Sequence, residues 1–299
     1  MMGKPRLFES FFQGQARHFL LQGLDLALAE DGNDLTSKAL FSAGDRMQAQ
    51  LLAKEETLLA GLPLIEIVLS RLHADPQDFS VQYLMQEGSL AESGDRVCLL
   101  QGSAQGILKA ERVILNYICH LSGIANLTQK FLQKLKGSRT RLLDTRKTLP
   151  GLRYPEKYAV QLAGGVNHRL NLEGMLMLKD NHIDRAGGIT QAVYKLRQTY
   201  AQDCPPIEVE CRNLAEVQEA CSCEVDRIML DNMVGQEIVQ ALQLVPEGLE
   251  TEISGGVSLE NLPELARLGA DYISVGCLTN SAANADLSLK TSLESGDRS

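Results

Sequence analysis

Hydrophobic residues along the chain follow two different patterns, and the change comes near residue 140. Beyond it, short apolar runs alternate with stretches of helical periodicity. The predicted strands are 140–144, 174–180, 207–211, 227–231, 250–254 and 272–276, and the predicted helices are 156–163, 189–200, 213–221, 234–243 and 258–268. Strand–helix repetition at this spacing is typical of βαβ units with a parallel sheet. The count favours an α/β barrel, closed or one strand short, over the alternative of an open doubly wound sheet.

The part of the chain before residue 140 has a mixed pattern. Residues 19–31 show helical periodicity, and strand-like pieces follow at 47–55, 79–86 and 97–110. The stretch 111–135 has long apolar helical periodicity and is predicted to be a helix that links the two halves. The first half is therefore predicted to form an α+β layer of its own.

Composition narrows the functional classes. No apolar run approaches the roughly 20 residues of a membrane span, and the N-terminal stretch lacks an apolar signal-peptide centre, so we expect a cytoplasmic protein. The seven cysteines are irregularly spaced, which favours reduced thiols; Cys221 and Cys223 form a CxC pair, but a second paired set of zinc ligands is not visible. The net charge of −9 argues against nonspecific nucleic-acid binding.

One segment of this acidic chain is basic. Residues 139–185 contain nine Lys or Arg against five Asp or Glu, a net of +4, so the remainder carries −13. The basic residues lie between apolar runs with Gly-Gly and Pro-Gly pairs and not on an i, i+4 helical face, which disfavours a merely solvated surface. A basic segment in an acidic protein predicts a site for a small, highly charged anion.

Polar residues or glycines stand at the end of strand after strand. They are Asp144, Lys179, Glu210, Asp231, the run Ser254-Gly255-Gly256, and Gly276. In a parallel barrel the carboxyl ends of the strands meet at one mouth, where active sites are built. Glycines after the last two strands would let backbone N–H groups approach a phosphate. The sequence therefore predicts one anion-binding site at this mouth.

Cationic and acidic side chains are both available for this predicted site. The candidate donors for carboxylates and phosphates are Arg146, Lys147, His168, Arg169 and Lys179. Glu210 and Asp231, on successive strands, could hold sugar hydroxyls, ligate Mg²⁺ or stabilise a developing positive charge. The structural alternative is that these carboxylates pair with core Lys or Arg and that His168 caps a helix. A substrate with several carboxylates, together with a phosphorylated sugar, would use all of these groups.

At these residues the chain resembles the quinolinate phosphoribosyltransferases. The main match is LLDTRKTLPGLRYPEKYAVQLAGGVNHRLNLEGMLMLKDNHI at 142–183, in which DTRKT, PGLR and NHR occur in order. Further matches are ERVILNYICHLSGIA (111–125), IEVECRNL (207–214), IMLDNM (228–233), SGGVSLENL (254–262) and SVGCLTNSA (274–282). DLTSKAL and AKEETLLAGLP also fit, so the resemblance covers nearly the whole chain.

The resemblance implies a fold class and a domain division. We expect an N-terminal α/β sandwich at 1–122 and an incomplete α/β barrel of about seven strands at 123–282, with 283–299 packing back on the first domain. The resemblance also implies a homodimer in which the partner's N-terminal domain completes each active site. Arg112 would then reach the neighbouring subunit's quinolinate.

Roles for individual residues follow from the same resemblance. The residues that match those holding quinolinate's carboxylates and the phosphates are Arg146, Lys147, His168, Arg169 and Lys179. Glu210 and Asp231 match the pair that faces the ribose hydroxyls, and they are the candidate ligands of an Mg²⁺ that accompanies the pyrophosphate. The residues that match the 5′-phosphate loops are Ser254, Gly255, Gly256 and Gly276. The expected catalytic residues among these are Lys147, Lys179, Glu210 and Asp231.

The implied reaction transfers phosphoribosyl from phosphoribosyl pyrophosphate to quinolinate and gives nicotinate mononucleotide, pyrophosphate and CO₂ in de novo NAD synthesis. Loss of Mg-pyrophosphate leaves an oxocarbenium-like ribosyl centre, which the quinolinate ring nitrogen attacks. The resulting pyridinium accepts the electrons released when the 2-carboxylate leaves. This chemistry rests on positioning and electrostatics, without an enzyme nucleophile.

Three positions depart from the family pattern. Ala163 stands where the first of three glycines is expected, Asn171 replaces a Gly, and Asn280 replaces a His. An Asn can adopt the positive φ that a Gly provides, whereas Asn280 cannot carry the charge of a His. Asn280 therefore puts a charged contact at the rim of the site in doubt, but not the reaction.

Two rival functions are compatible with the barrel. One is a relative, such as the protein of molybdenum operons, that acts on another pyridine or purine-like acid; the intact Arg-Lys, His-Arg and LKDNH groups favour quinolinate. The other is a non-catalytic anion-binding protein, which should have lost some of Lys179, Glu210 or Asp231. All three are present.

Overall fold

The computed structural model describes residues 4–72 and 78–293. In chain order its helices and strands are α1 (Lys4–Phe11), α2 (Gly14–Glu30), α3 (Leu35–Leu40), β1 (Arg46–Ala53), β2 (Thr57–Leu58), α4 (Leu64–Leu72), β3 (Phe79–Tyr83), β4 (Leu90–Ala91), β5 (Arg96–Ser103), α5 (Ala104–Lys134), β6 (Arg141–Leu143), α6 (Arg153–Leu162), β7 (Leu176–Leu178), α7 (Asp180–Ala186), α8 (Ile189–Tyr200), β8 (Ile207–Cys211), α9 (Leu214–Cys221), β9 (Arg227–Asp231), α10 (Gln236–Leu244), β10 (Glu250–Ser254), α11 (Leu262–Arg267), β11 (Tyr272–Ser274), α12 (Cys277–Asn280) and β12 (Leu287–Leu293).

The chain divides into two compact units. The first comprises Met1–Thr128, Thr148–Gly164 and Thr279–Ser299, and the second comprises Gln129–Lys147 and Gly165–Leu278. Helix α6 thus clusters with the first unit, although it lies in sequence between two parallel strands of the second. The domain boundaries inferred from the resemblance, after residues 122 and 282, stay a prediction.

The first unit contains a four-stranded antiparallel sheet in the order β12-β1-β5-β3. Along β1, the residues Met47, Ala49, Leu51 and Ala53 are buried and alternate with more exposed ones, as expected for a strand with one covered face. The last strand of the chain, β12, pairs along the outer edge of β1. The C-terminal strand therefore belongs to the same sheet as residues near the N-terminus.

The passage from β5 to α5 differs from the sequence prediction. The strand-like pattern at 97–110 is a strand only to Ser103, and the helix begins at Ala104. The Ser103 hydroxyl accepts a hydrogen bond from the Gly106 backbone N–H at 3.3 Å. This is the bond of a helix N-cap, and it starts the helix earlier than the apolar periodicity indicates.

The second unit is a six-stranded parallel sheet in the order β6-β11-β10-β9-β8-β7, surrounded in sequence by helices. A parallel bridge between Leu143 and Val166 adds a seventh strand position beside β6. The predicted fold class, an α/β protein with an N-terminal sheet domain and an incomplete barrel of about seven strands, is confirmed. Because all these strands run parallel, their carboxyl ends lie on one side, and this is where the candidate residues end up.

Two properties of the whole chain complete this description. Among the described residues, none of the helices combines the length and the hydropathy that crossing a bilayer requires. All seven cysteines are free thiols.

Candidate active site

A pocket of about 390 Å³ opens at the carboxyl ends of the parallel strands in the second unit. It is lined by Thr145, Arg146, Lys147, His168, Arg169, Met177, Lys179, Glu210, Met229, Asp231, Glu252, Ser254 and Ser274. Eight of the twelve site residues predicted from the sequence are in this lining. The structure therefore places in one pocket most of the residues that were predicted from the strand ends.

The other four predicted residues lie elsewhere. Gly255, Gly256 and Gly276 neighbour lining residues in the chain. Arg112 is exposed on α5 in the first unit and does not line the pocket. The structure of one chain therefore places Arg112 on a surface, and its predicted role toward a neighbouring subunit remains a prediction.

Lys147 follows β6 on a tight turn. Its backbone N–H donates to the Thr145 hydroxyl at 3.0 Å. A Cβ at Gly276 would lie 3.0 Å from Lys147 Cδ and 3.8 Å from its Nζ. Gly276, two residues beyond the end of β11, thus leaves room for the stem of the lysine at the pocket wall.

Two guanidinium groups face the same pocket. Arg169 Nη1 donates to the Met175 carbonyl at 2.9 Å, which fixes the side chain without neutralising it. Burial lowers the pKa of Arg169, and the nearby charge of Arg146 lowers it further. Like charges held together in a partly buried site are unfavourable until an anion enters, so this wall is suited to bind a multiply charged anion.

Lys179 and Glu210 form an ion pair at the mouth, with Nζ 2.7 Å from Oε2. Lys179 immediately precedes α7, and its backbone N–H donates to His182 Nδ1 at 3.1 Å. The lysine side chain is 46% exposed and the glutamate 13%, so the ammonium group faces solvent and incoming ligand while the carboxylate forms part of the wall.

The loops after β9 and β10 are locked together by Asn232 and Gly255. Asn232 donates through its side chain to Asp231 Oδ2 at 2.9 Å and through its backbone to the Ser254 carbonyl at 2.9 Å. Gly255 has φ +95°, and a Cβ there would lie 2.1 Å from Asn232 Oδ1. Only glycine therefore fits at this position. The close approach connects the Ser254-Gly255-Gly256 loop with the orientation of Asp231.

A layer of buried polar residues lies beneath the pocket. Glu208 and Glu252 are fully buried, and their carboxylates are 2.8 and 3.6 Å from His168 Nε2. Arg227 Nη1 is 3.5 Å from Glu252. Burial raises the pKa of Glu252 to about 8, and the neighbouring Glu208 carboxylate adds to that rise. Burial raises the pKa of Glu208 as well.

Sequence reasoning missed this layer, although a signal was available. Side chains of a strand alternate between its two faces, so Glu208 shares a face with Glu210, and Glu252 shares one with Ser254. Extending the strand-end pattern inward by two residues would have found both glutamates. Thr145, Met177, Met229 and Ser274 of the lining were not predicted either.

Among the described residues, two groups of side chains have ligand atoms that suit a cation. The ligand atoms of His168, Glu208 and Glu252 lie within 4.8 Å of one another. The Arg227 guanidinium beside Glu252 already supplies positive charge there, so we interpret this group as an internal ion-pair layer. Glu210 and Asp231, at the pocket itself, have the hard carboxylate oxygens that Mg²⁺ prefers.

Two departures from the family pattern have local explanations. Asn171 Oδ1 accepts the backbone N–H groups of Glu173 and Gly174 at 3.0 and 3.1 Å, so the amide makes its own turn. Asn171 does not have a positive φ, so the expectation that it imitates a glycine in that way is wrong. Asn280 Oδ1 accepts from the Ser281 hydroxyl at 2.6 Å.

Comparison with known proteins gives a consistent result. Residues 34–122 match the family description "Quinolinate phosphoribosyl transferase, N-terminal domain", and residues 124–290 match the C-terminal domain of the same family. The chain is 38% identical to a probable nicotinate-nucleotide pyrophosphorylase (carboxylating) of Bacillus subtilis, over 92% of each chain. It is 42% identical to the protein of that name from a Synechocystis species, over 88% of this chain and 89% of the relative.

A solved structure agrees with these relatives. The nicotinate-nucleotide pyrophosphorylase from Francisella tularensis superimposes with a TM-score of 0.86 at 34% identity, covering 94% of this chain and 99% of that one. Both domain matches and this fold extend over nearly all of the sequence. The chain therefore belongs to the quinolinate phosphoribosyltransferase family.

Proposed function

We propose that this chain transfers phosphoribosyl from phosphoribosyl pyrophosphate to quinolinate, with loss of CO₂, to give nicotinate mononucleotide for NAD synthesis. The observation that carries the proposal is the pocket at the strand ends, where four Lys or Arg side chains lie beside the carboxylates of Glu210 and Asp231, with the buried Glu252 as a third. Few metabolites carry enough negative charge to occupy four cationic side chains at one site. A pyridine dicarboxylate and a sugar with several phosphates do.

In this proposal the basic wall binds and orients quinolinate. Arg146 and Arg169 have planar donor groups that match carboxylates, and Lys147 adds a compact charge. Holding the ring nitrogen toward the sugar lowers the barrier mainly by positioning. After the nitrogen has attacked, the bond between C2 and the carboxylate breaks and CO₂ leaves; the electron pair stays at C2, stabilised by the adjacent pyridinium nitrogen, and C2 then takes a proton from water.

Glu210 and Asp231 act on the ribose. As pyrophosphate departs, positive charge develops on the ring, and two fixed carboxylates stabilise it. The 2.7 Å contact with Lys179 keeps Glu210 in place and leaves the lysine beside the departing phosphates. The Ser254-Gly255-Gly256 loop, with Gly276, supplies backbone close to the 5′-phosphate.

Mg²⁺ fits this set of donors. It is commonly held by one or two carboxylates together with substrate phosphates, and Glu210 and Asp231 are the carboxylates of the pocket lining that are not fully buried. When bound, the ion would neutralise the pyrophosphate as a leaving group. The cation requirement is measured by omitting Mg²⁺ and adding a chelator.

The proposal extends to a homodimer in the cytoplasm whose active sites are shared between subunits. Arg112 is exposed on a helix whose neighbouring residues Val113, Ile114 and Leu115 are buried. A long cation on such a face is available to a second copy of the chain. In a shared site it would add one more charge to the quinolinate wall.

Subunit mixing tests this arrangement. Arg112→Ala and Lys147→Ala should each be inactive while retaining the fold, with Lys136→Ala, an exposed lysine outside the pocket, as the matched control. Mixed after dissociation, the two inactive variants should recover about one quarter of wild-type activity, because half the dimers would contain one intact site of two. Unchanged turnover by Lys147→Ala would contradict its role, and absence of any recovery would contradict a shared site.

A screen of acceptors distinguishes this function from that of the relative with another substrate. Quinolinate should give nicotinate mononucleotide, whereas nicotinate, which lacks the 2-carboxylate, should be a poor acceptor because half of the basic wall would face no charge. A preference for another pyridine or purine-like acid would replace quinolinate in this proposal.

A further inference from the structure

Asp144 has a different environment from the other polar residues at the strand ends. It directly follows β6, but it is fully buried and does not line the pocket. The proposed reaction therefore gives it no contact with substrate. Burying a polar or charged group costs free energy unless hydrogen bonds compensate for it, so the contacts of this side chain indicate its task.

The segment 165–169 brings two residues to the pocket with little support from backbone pairing. It meets β6 at a single bridge between Val166 and Leu143. The Val166 N–H donates to the Leu142 carbonyl at 2.8 Å, and the Val166 carbonyl accepts from the Asp144 N–H at 3.1 Å. In the described part of the chain, this bridge is the segment's one β-pairing. Its position beyond Val166 therefore depends on other contacts.

The Asp144 side chain takes the place of the next bond in this ladder. Bonds between parallel strands are evenly spaced, so a regular ladder would continue with the His168 N–H donating to the Asp144 carbonyl. The His168 N–H donates instead to Asp144 Oδ1, at 2.8 Å. The Asn167 side-chain amide donates to Oδ2 of the same carboxylate, at 2.7 Å. One buried carboxylate thus holds two successive residues where the backbone pairing stops.

These two bonds act on the part of the chain that reaches the pocket. His168 and Arg169 both line it, directly after Asn167 in sequence. Arg169 Nη1 donates to the Met175 carbonyl, which fixes the far end of the guanidinium, and its near end follows the main chain at 167–169. Hydrogen bonds to an ionised carboxylate are about twice as strong as neutral ones. Because a displacement of about 1 Å in a positioned group can reduce a rate about 100-fold, this anchor should affect substrate binding.

We propose that Asp144 is a positioning residue for the quinolinate side of the site. Its carboxylate holds Asn167 and the His168 main chain, and thereby sets where the His168 and Arg169 side chains lie when the substrate arrives. Asp144 itself does not touch substrate. The rival role is electrostatic, in which a buried negative charge two residues before Arg146 would offset the basic wall. The proposal rests on the proposed function only for the identity of the anion that the two side chains bind.

Two substitutions at Asp144 separate the hydrogen bonds from the charge. Asp144→Asn loses the charge, but its Oδ1 can still accept the His168 N–H, and its amide can bond to Asn167 once that side chain turns its oxygen inward. Asp144→Ala loses both acceptors. We expect kcat/KM for quinolinate to fall less than about tenfold in Asp144→Asn and about 100-fold in Asp144→Ala. The fall should appear mainly as a higher KM for quinolinate, with KM for phosphoribosyl pyrophosphate nearly unchanged.

Asp271 provides a matched control for the loss of stability. Its Oδ2 accepts the Thr251 backbone N–H at 2.9 Å and the Thr251 hydroxyl at 2.8 Å. Both residues lie where β10 and β11 begin, at the opposite end of the sheet from the pocket. Asp271→Ala should therefore lower the urea midpoint and leave both KM values at those of wild type. An equal rise in KM for quinolinate in this variant would show that general loosening of the sheet causes the effect, and the positioning role would be wrong.

The anchor is also measurable without substrate. Labelling with ¹⁵N-histidine gives one backbone amide signal for each of the five histidines, and the signal of His168 is the one lost in His168→Gln. We expect exchange of this amide hydrogen with solvent to be slow in wild type and in Asp144→Asn, and at least about tenfold faster in Asp144→Ala, because the N–H then lacks its acceptor. Equal exchange rates in all three proteins would overturn the proposal.

The outcomes separate this proposal from the proposed function. If wild-type protein neither binds nor turns over quinolinate, the proposed function fails, and amide exchange still decides whether Asp144 holds the segment. If Asp144→Asn loses as much activity as Asp144→Ala while its His168 amide stays protected, the site needs the charge, and the positioning role is wrong. If Asp144→Ala does not fold, Asn167→Ala, which removes the bond to Oδ2, decides the question. A higher KM for quinolinate in that variant supports the anchor, and an unchanged KM refutes it.

Discussion

Gly255 and Gly256 are adjacent, both have positive φ, and only one of them is in close contact, so alanine at each position makes a matched experiment. A Cβ at Gly255 would lie 2.1 Å from Asn232 Oδ1, 2.7 Å from its Cγ and 3.0 Å from its backbone N. A Cβ at Gly256, at φ +61°, would meet no atom within 4 Å. The backbone penalty is therefore similar in the two variants, and the steric conflict occurs in one.

The expected magnitudes follow from these distances. A left-handed conformation costs a residue with a Cβ about 1–2 kcal/mol, which both variants lose. Gly255→Ala must also displace Asn232, including its backbone, and forced repacking of this kind costs about 1–3 kcal/mol more. We expect the free energy of unfolding to fall by about 1–2 kcal/mol in Gly256→Ala and about 2–5 kcal/mol in Gly255→Ala.

Urea unfolding measures the stability difference, and steady-state kinetics locate its effect on the site. Asn232 also holds Asp231 Oδ2 at 2.9 Å, so displacing it should disturb both the phosphate loop and the carboxylate that faces the ribose. Gly255→Ala should therefore raise KM for phosphoribosyl pyrophosphate and lower kcat, well beyond the effects of Gly256→Ala. Equal stability and equal kinetics in the two variants would refute this reasoning, because their shared backbone strain would then be the whole effect.

Three further predictions concern other parts of the chain. The pKa of Glu252 is raised to about 8, so the protonated carboxyl stabilises the fold fully below its ordinary pKa, and this stabilisation is lost as pH rises through about 8. The urea midpoint of Glu252→Gln, measured relative to that of wild type, should therefore rise between about pH 5 and about pH 9. A difference that stays constant over this range would contradict the raised pKa. Gly123→Ala should destabilise the protein, because a Cβ there would lie 2.0 Å from the Ala283 carbonyl oxygen. This is expected although alanine is better than glycine in a helix by about 1 kcal/mol. A melting temperature above that of wild type would show that the close contact relaxes at no cost. Glu210→Gln can keep a hydrogen bond with Lys179 but loses the negative charge, so kcat should fall about 100-fold with little change in stability. Glu247→Gln, on the surface, is the control and should leave kcat unchanged. Wild-type turnover by Glu210→Gln would show that this carboxylate has no part in the mechanism.

The strands of the second unit could be predicted closely because their environment is uniform. The segments 207–211, 227–231 and 250–254 were predicted with the bounds that the structure has. Each is largely buried along its whole length, and each has a polar residue in its last two positions, at the mouth. Parallel topology then places these ends together without further information, which is why most of the site was found.

The remainder depended on features that a local pattern does not contain. The start of α5 was missed because a single serine cap at Ser103 outweighs the apolar pattern that continues through 104–110. Helix α6 follows the parallel strand β6 in sequence but belongs to the first unit. Its assignment depends on contacts with residues far away in the chain, which a local sequence pattern does not contain. The close approach of the buried Glu208 to His168, at 2.8 Å, also joins residues that lie 40 positions apart, and the local pattern around either residue does not indicate it.

The most direct test of the proposed reaction follows both products from quinolinate labelled with ¹³C in its 2-carboxylate. Purified protein is mixed with this substrate, phosphoribosyl pyrophosphate and Mg²⁺, and nicotinate mononucleotide and labelled CO₂ are measured together over time. The account predicts equimolar formation of the two, dependent on both substrates and abolished in Lys147→Ala. Absence of product from correctly folded protein, or a nucleotide that retains the label, would contradict it.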